Sequence, residues 1–331
     1  MKKLMAVVMS AVLCMGLAGC GGSTSSSSDS SSSETATGAY PSGAVKLIVP
    51  FSAGGGTDLV ARAAVDAAKD NFPKGISVEN KTGGSGAVGM IEGANAAKDG
   101  SVITMICVEL VTVPHTTAGI DMSPDQFEPV LTLNSAYSAI TVKADSPYET
   151  LDDLLAAAGS GIIQVGNSGV GAIWHLAAAT LGQEAGVEFT HIPFEGAAPA
   201  LTSLLGGHID AVSVSYPEVS AQAEAGEVKI LAILSPERNA AIPDVPTAIE
   251  EGYDVSVGTW RGLAVPAGTD QAIVDSVYDI FSEAAEADSF VEFMNNNNLD
   301  IDVKGPAEFA QQLTNEWDSY GELVATLGLG Q

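Results

Sequence analysis

The sequence predicts an α/β fold of two packed units, each on a mixed, mainly parallel sheet. From Val45 onward, short apolar runs alternate with helical segments, the pattern of βαβ units. Three loops that follow strand-like runs, 52–57, 82–86 and 166–171, are rich in small residues. The chain has 331 residues and is 46% hydrophobic. That suffices for two cores of roughly 100–150 residues each.

The elements follow in order. VKLIVPF (45–51) is an apolar run that ends at the glycines of SAGGG. TDLVARAAVDAAKDNF (57–72) has helical spacing, with Thr57 as its expected N-cap. ISVEN (76–80) reads as a strand, KTGGSGAVG (81–89) as a loop and MIEGANAAK (90–98) as a helix. SVITMICV (101–108) is a buried strand, and EPVLTLNSAYSAITVKAD (128–145) is two strands or one long bent one. ETLDDLLAAAG (149–159) is a helix, GIIQVGN (161–167) a strand and AIWHLAAATLGQEAG (172–186) a helix. VEFTHIPF, APALTSLLGGH, IDAVSVSY, PEVSAQAEAG and VKILAILS continue the alternation, and the C-terminal third is mostly helical. Ligands of open parallel sheets bind beyond the carboxyl ends of the strands. The three small-residue loops should therefore face one crevice.

Before the fold, Lys2 and Lys3 precede the apolar stretch MAVVMSAVLCMGLAG, too short for a stable membrane span. It ends in Leu17-Ala18-Gly19-Cys20, which resembles the bacterial lipobox. The resemblance implies a lipoprotein signal over 1–19, cleavage before Cys20, and lipid on Cys20 as a membrane anchor rather than a span. Residues 20–42, dominated by serine and glycine, read as a disordered tether. Without Lys2 and Lys3 the chain keeps 11 basic residues against 41 acidic, a formal charge of −30. Such a surface repels nucleic acid and anionic headgroups. It repels an anionic ligand at long range as well, so an anion site has to be short-range. Cys107 is left without a disulfide partner and reads as a small buried hydrophobe.

The loops narrow the chemistry. Gly84-x-Gly86-x-x-Gly89 has the dinucleotide spacing, but its acidic partner would be Glu109, beyond another strand. No phosphate-loop lysine motif and no G-x-S-x-G elbow occurs around Ser85 or Ser168. His115, His175, His191 and His208 lack the i,i+4 spacing of a helical metal site. No metal or cofactor is expected. Binding remains: a glycine-rich loop at a helix N-terminus exposes unpaired amides in a positive field. A carboxylate can be held there without arginine, and no basic residue lies within 52–57 or 166–175. The competing reading of each loop is a tight turn.

PFSAGGGTDLVAR (50–62) resembles the first signature of the substrate-binding receptors of tripartite tricarboxylate transporters, the Bug-type periplasmic proteins. VENKTGGSGAVG (78–89), VGNSGVGAIWHLAAATL (165–181) and HIPFEGAAPALTSLLGGHIDA (191–211) follow in the family's order. So do ILSPERNAAIPDVPTAIEEGYDV (233–255) and GTWRGLAVPAGT (258–269), so that the resemblance spans residues 43–330. It implies a type II periplasmic-binding-protein fold, two lobes joined by crossing hinge strands near residues 131–142 and 257–265. Lobe 1 would be 43–137 plus 264–331, and lobe 2 138–263. It also implies a non-enzymatic, monomeric, exported receptor that hands a small carboxylate to integral-membrane transporter subunits. The carboxylate would be a di- or tricarboxylate, an aromatic acid or an acidic amino acid. A receptor of the same fold serving an ABC importer or a sensor kinase is the alternative; an exported enzyme reusing the fold finds no supporting residue set.

Carried onto this chain, the resemblance makes Phe51, Ser52, Ala53, Gly54, Gly55, Gly56, Thr57 and Asp58 the first clamp, with Asp58 orienting the loop. Gly84 and Ser85 add the second glycine loop. Asn167, Ser168, Gly169 and Gly171 form the opposing clamp, with Trp174 and His175 one turn further on. Phe194 would lean on the ligand's carbon skeleton, and Ser213 and Tyr216 would close the following strand. Three residues depart from the family pattern: Glu195 replaces a usual base, Asn167 a usual glycine or serine, and Arg261 a usual neutral residue. Glu195 would repel a second carboxylate or recruit an amine; Arg261 would stay solvated or pair with an acidic neighbour.

Overall fold

The computed structural model describes residues 40–330. The expected signal peptide, Cys20 and all but the last residues of the tether lie outside that range. The described residues form one compact unit.

The chain opens with β1 (Val45–Val49), α1 (Gly56–Ala68), β2 (Ile76–Asn80), α2 (Ala87–Ala94), β3 (Val102–Cys107) and α3 (Glu109–Thr116). The long β4 (Phe127–Lys143) leads to α4 (Leu151–Ala158), β5 (Gln164–Asn167), α5 (Ile173–Ala185), β6 (Thr190–Pro193), α6 (Ala197–Leu205), β7 (Ala211–Ser215), α7 (Tyr216–Glu224) and β8 (Val228–Leu234). The chain then returns through β9 (Gly258–Pro266) to α8 (Gln271–Glu286), α9 (Asp288–Asn296) and α10 (Pro306–Thr326).

The strands run in the order β2-β1-β3-β9-β4-β7-β5-β6, with β8 also on β4. Pairs of β1 with β2 and β3, and of β5 with β6 and β7, are parallel; every pair involving β4 or β9 is antiparallel. Parallel strands sit where helical crossovers cover both faces. The antiparallel pairs mark the two places where the chain passes between halves. β4 is the single long strand of the two expected readings. Its register against β9 shifts at Pro129/Leu131 and at Thr132/Asn134, and its C-terminal part pairs with β7 and β8 instead. Such irregularities bend a strand, and here they let one strand serve two sheets. The return passage falls at Val257–Gly258: the Val257 amide bonds Leu234, and Gly258 onward pairs with β4 and β3. Gly258–Leu263, which the expected division assigns to lobe 2, are therefore hydrogen-bonded in the first sheet.

Half one, built on β1–β3 and β9, buries Leu47, Val60, Ile103, Phe281 and Phe290 under α1, α8 and α9. The other core runs through half two and across the divide, so that Met90, Ile106 and Leu110 share a cluster with Ile173 and Trp174. Cys107 is a free, buried thiol, as expected. α3 was not legible in the sequence. Its ELVTVPHT carries β-branched residues and Pro114, yet residues Glu109–Val113 are all buried. Tertiary burial overrides weak local propensity here.

β9 passes so near its neighbours that a Cβ on Gly262 would lie 2.6 Å from Phe309 and 2.7 Å from the Leu131 carbonyl. Gly262→Ala is expected to destabilise the fold by about 1–3 kcal/mol, as overpacking does. Urea unfolding checks this; an unchanged midpoint would mean the crossing strands are not tightly packed.

Candidate functional site

The three small-residue loops do converge. Phe51, Ser52 and Gly55–Thr57 face Ser168, Ile173 and Trp174 across a small cavity, whose remaining wall is Glu109, Ala197, Glu218, Thr259 and Arg261. The space inside is about 20 Å³, room for one water. A groove of about 580 Å³ adjoins it, lined by Gly83–Gly86, Thr116, Thr117, Ser168–Val170, Pro193–Glu195 and Pro199, with Phe51 and Ser168 common to both.

The halves touch through hydrogen bonds between loops. The Ser52 amide donates to the Glu195 carbonyl (3.3 Å), Ser85 Oγ to the Val170 carbonyl (2.6 Å) and Thr112 Oγ1 to the Gly171 carbonyl (3.0 Å). Gly171 illustrates why the loop is glycine-rich. Its φ is +74°, and a Cβ would lie 1.8 Å from Thr116 Oγ1. Only glycine permits both that backbone and that approach.

Each expected clamp is held from behind. Asp58 takes hydrogen bonds from the Gly54 amide, Arg62 Nε and Asn80 Nδ2, all at 2.9 Å. Burial alone would raise its pKa, but these bonds outweigh it and hold the carboxyl below its usual range. Its expected orienting role matches this geometry. In the opposing loop, Asn167 Oδ1 accepts from the Gly169 amide (3.0 Å), and His175 Nδ1 accepts from the Gly171 amide (3.0 Å). Burial, then the neighbouring His191, pushes the His175 pKa down to about 4. The ring therefore stays neutral, the state in which Nδ1 can accept.

The residues expected to bind separate into groups. Phe51, Ser52, Gly55, Gly56, Thr57, Ser168 and Trp174 line the inner cavity, and Gly84, Ser85, Gly169 and Phe194 line the groove. Gly54, Asp58, Asn167, Gly171 and His175 support the loops without lining either space. Ala53 is exposed and lines neither. Ser213 and Tyr216 are not brought to the cleft. Ser213 Oγ bonds Ser138 Oγ within the second sheet (2.9 Å), and Tyr216 lines a separate groove with Tyr137 and Arg238. The first turn of α7 rotates Tyr216 away and presents Glu218 instead. Thr57 is not the N-cap either: α1 begins at Gly56 with Gly55 as its cap, and no side chain caps it. Thr57 Oγ1 instead accepts from Arg261 Nε (3.1 Å).

Three residues that the sequence reading left out of the site form the polar wall. Arg261 is 2% exposed. It does not stay solvated but takes the paired course, donating to Asn134 Oδ1 (2.5 Å) and pairing with Glu218 Oε1 (3.5 Å). Glu218 Oε1 also accepts from the Gly56 amide (3.1 Å), while Oε2 accepts from the Ser215 amide and hydroxyl. Glu109 Oε1 accepts from the Ile173 amide (3.1 Å). Burial pushes the Glu109 carboxyl up to about 7, against hydrogen bonding and the Arg261 charge, which pull it down. The motif S-x-x-E at Ser215–Glu218 was the legible signal for one of the three, being a capping box. Arg261 was marked only by its departure from the family pattern, and Glu109, a lone charge in an apolar string, carried no signal for this site. Among the described residues no His/Cys/Asp/Glu group fits a metal ion.

A cleft walled by loops from both halves is the architecture of a solute-binding receptor, and comparison with known proteins agrees. Residues 60–329 match the family described as "Tripartite tricarboxylate transporter family receptor". A UPF0065 protein of Bordetella pertussis (strain Tohama I) is 28% identical over 294 residues, 88% of this chain and 91% of its own. A solved TctC solute-binding protein from Polaromonas, without ligand, is 39% identical over 87% of this chain and 99% of its own, with a TM-score of 0.64. MatC from Rhodopseudomonas palustris, with bound malate, is 26% identical over 86% of this chain and 100% of its own, with a TM-score of 0.81. The chain belongs to the tripartite tricarboxylate transporter receptor family, a family of solute-binding receptors and not of enzymes. Its fold is that of the periplasmic binding proteins. Among the described residues no helix is long and apolar enough to cross a membrane.

Glu109 gives the site a pH signature. Its carboxyl titrates near 4.5 when unfolded and at about 7 when folded. The folded state therefore holds this proton more tightly, and stability is lost as pH rises from 4.5 through 7. The difference corresponds to on the order of 3 kcal/mol. Glu109→Gln cannot titrate and should gain on the wild type by that order between pH 4.5 and 8. Denaturant unfolding across this range checks it; a pH-independent difference would refute the assignment.

Proposed function

We propose that this protein is an extracytoplasmic solute-binding lipoprotein. It captures a small carboxylate in the interlobe cleft and delivers it to a tripartite tricarboxylate-type secondary transporter. The inner cavity carries the proposal. Ser52 Oγ and Ser168 Oγ, one from each half, are buried there without a hydrogen-bond partner. Beside them lies the glycine backbone at the start of α1. Buried hydroxyls without partners are costly, and a carboxylate offers acceptors to both. Lobe closure would exclude water and strengthen each of these charge-assisted bonds. An affinity in the micromolar range, about −8 kcal/mol, suits such a site.

The relatives support this reading. The Polaromonas receptor is nearer in sequence but was solved without ligand, and it superposes less well than malate-bound MatC over the same share of this chain. A hinge closed in this chain and in malate-bound MatC but open in the Polaromonas receptor would produce that inversion. Membrane attachment rests on the lipobox-like Leu17–Cys20, which would keep a monomeric receptor on the outer face of the cytoplasmic membrane. The interlobe division falls within β4 and at Val257–Gly258.

A thermal-shift screen tests the ligand class, with malate, adipate, tricarboxylates, aromatic acids and amino acids as probes. A carboxylate at 100 times its Kd should stabilise the protein by about 2.7 kcal/mol. Gly55 lines the inner cavity, and its φ of −82° admits any residue. Gly55→Leu should keep the fold by circular dichroism yet lose the shift. Stabilisation by no acid, or an undiminished shift in Gly55→Leu, would overturn the proposal.

A further inference from the structure

The closed cleft contains two carboxylates that the family reading does not use. They are arranged reciprocally. Glu218, on α7 of half two, accepts from the Gly56 amide, the first helical residue of α1 in half one (3.1 Å). Glu109, on α3 of half one, accepts from the Ile173 amide, the first helical residue of α5 in half two (3.1 Å). Both side chains are buried. These two helices follow the two glycine loops that the sequence marks for anion capture. Each loop's helix thus already holds a carboxylate, and each carboxylate comes from the other half.

Glu218 goes further. Two donors of half one, the Gly56 amide and Arg261 Nη2, converge on its Oε1. Its Oε2 is held in half two by the Ser215 amide (2.9 Å) and hydroxyl (2.8 Å). The group is rigid within half two, so opening the hinge withdraws it whole. That would leave Arg261, the Gly56 amide and the α1 dipole facing the cleft together. An amide, a guanidinium and a helix N-terminus form a carboxylate receptor, and Glu218 is the carboxylate that fills it.

We infer that Glu218 and Glu109 are built-in surrogates for the ligand's acid group, latching the cleft shut in the ligand-free receptor, and that a ligand carboxylate takes the Gly56–Arg261 site by displacing Glu218. The displacement step rests on the carboxylate reading above; the latch does not. Glu218 is then a specificity-determining residue. An incoming acid group must better an internal one that is already positioned, and an uncharged analogue cannot. The latch also lowers apparent affinity, because only the unlatched fraction of the receptor is competent.

Glu218→Gln tests this. The amide can keep its oxygen on Ser215, preserving the α7 cap, but it turns an NH2 toward the Gly56 amide and Arg261. Small-angle scattering on the ligand-free full chain should show a larger radius of gyration than the wild type, and malate should reverse the expansion. Calorimetry should show malate bound at least about fivefold more tightly, the release of an unlatching penalty. An unchanged radius, or an affinity equal to or weaker than the wild type, overturns the inference. Gly56→Ala provides a second variant that leaves both glutamates and the cap intact. Its Cβ would lie 2.7 Å from Arg261 Nη2 and 3.0 Å from Glu218 Oε1, so the ligand-free protein should expand here too. A compact Gly56→Ala protein would count against the latch. Expansion of both variants with no acid bound by any form would keep the latch and sink the carboxylate reading instead.

Discussion

Helix N-termini answered by carboxylates across the cleft are the interaction on which the closed molecule depends. The first amides of a helix have no partner within it. At α1 and α5 these amides lie in a dry interface, where an unmet donor costs about 1–3 kcal/mol. The glycine loops that precede both helices carry no capping side chain that reaches them. The partner has to come from the opposing half. The carboxylates of the opposing half thus take the place that water holds at an open helix N-terminus, which would couple a glycine loop to the motion of a whole lobe.

Arg261 fits the same pattern of donors. A guanidinium offers five N–H groups and cannot shed its charge. Here Thr57, Asn134 and Glu218 engage three of its edges, and its charge is matched by one buried carboxylate from half two. Thr57 and Asn134 belong to half one, so the side chain is positioned whether or not the hinge is shut. Only its counter-charge travels. That separation lets one residue act as neutral wall in the closed form and as cationic receptor in the open one. It also sets a cation beside the glycine backbone that the sequence marks for capture. The two glycine loops contain no base, as the sequence shows, but β9 delivers one from 204 residues beyond Thr57.

The alternation of strands and helices, the buried Cys107 and the convergence of the three loops were readable because each depends on local pattern. Period, small residues after strands and apolar runs all survive in one dimension. The polar wall was not readable for the opposite reason. Glu109 sits in CVELV and Arg261 in GTWRGL, where a lone charge suggests solvent exposure. Their meaning arises only when a hidden helix, α3, brings Glu109 to the start of α5 and a return strand, β9, brings Arg261 to the start of α1. Tyr216 and Glu218 show the finer limit. The family signature leads to the end of β7, but the angle at which α7 leaves the strand decides which side chain enters the cleft. Two residues, about half a turn of helix, exchange an aromatic for an acid.

The outer groove bears on which acids can use such a receptor. Its lining contains Phe51, Phe194, Pro193 and Pro199, which offer apolar surface to a carbon skeleton, and one charged residue, Glu195. No lysine or arginine lines it. A first carboxylate seated against Arg261 and the α1 amides leaves any remaining atoms to run outward along this wall. A long dicarboxylate carries its second charge to the rim, where it meets Glu195 in a protein of net charge −28. Glu195 is exposed, so water and salt soften the repulsion, but no cation lining the groove offsets it. A ligand with an amine at that end would meet attraction instead. On the proposed mode of capture, length and terminal charge would be read at the rim, while the inner cavity would read only the presence of an acid group.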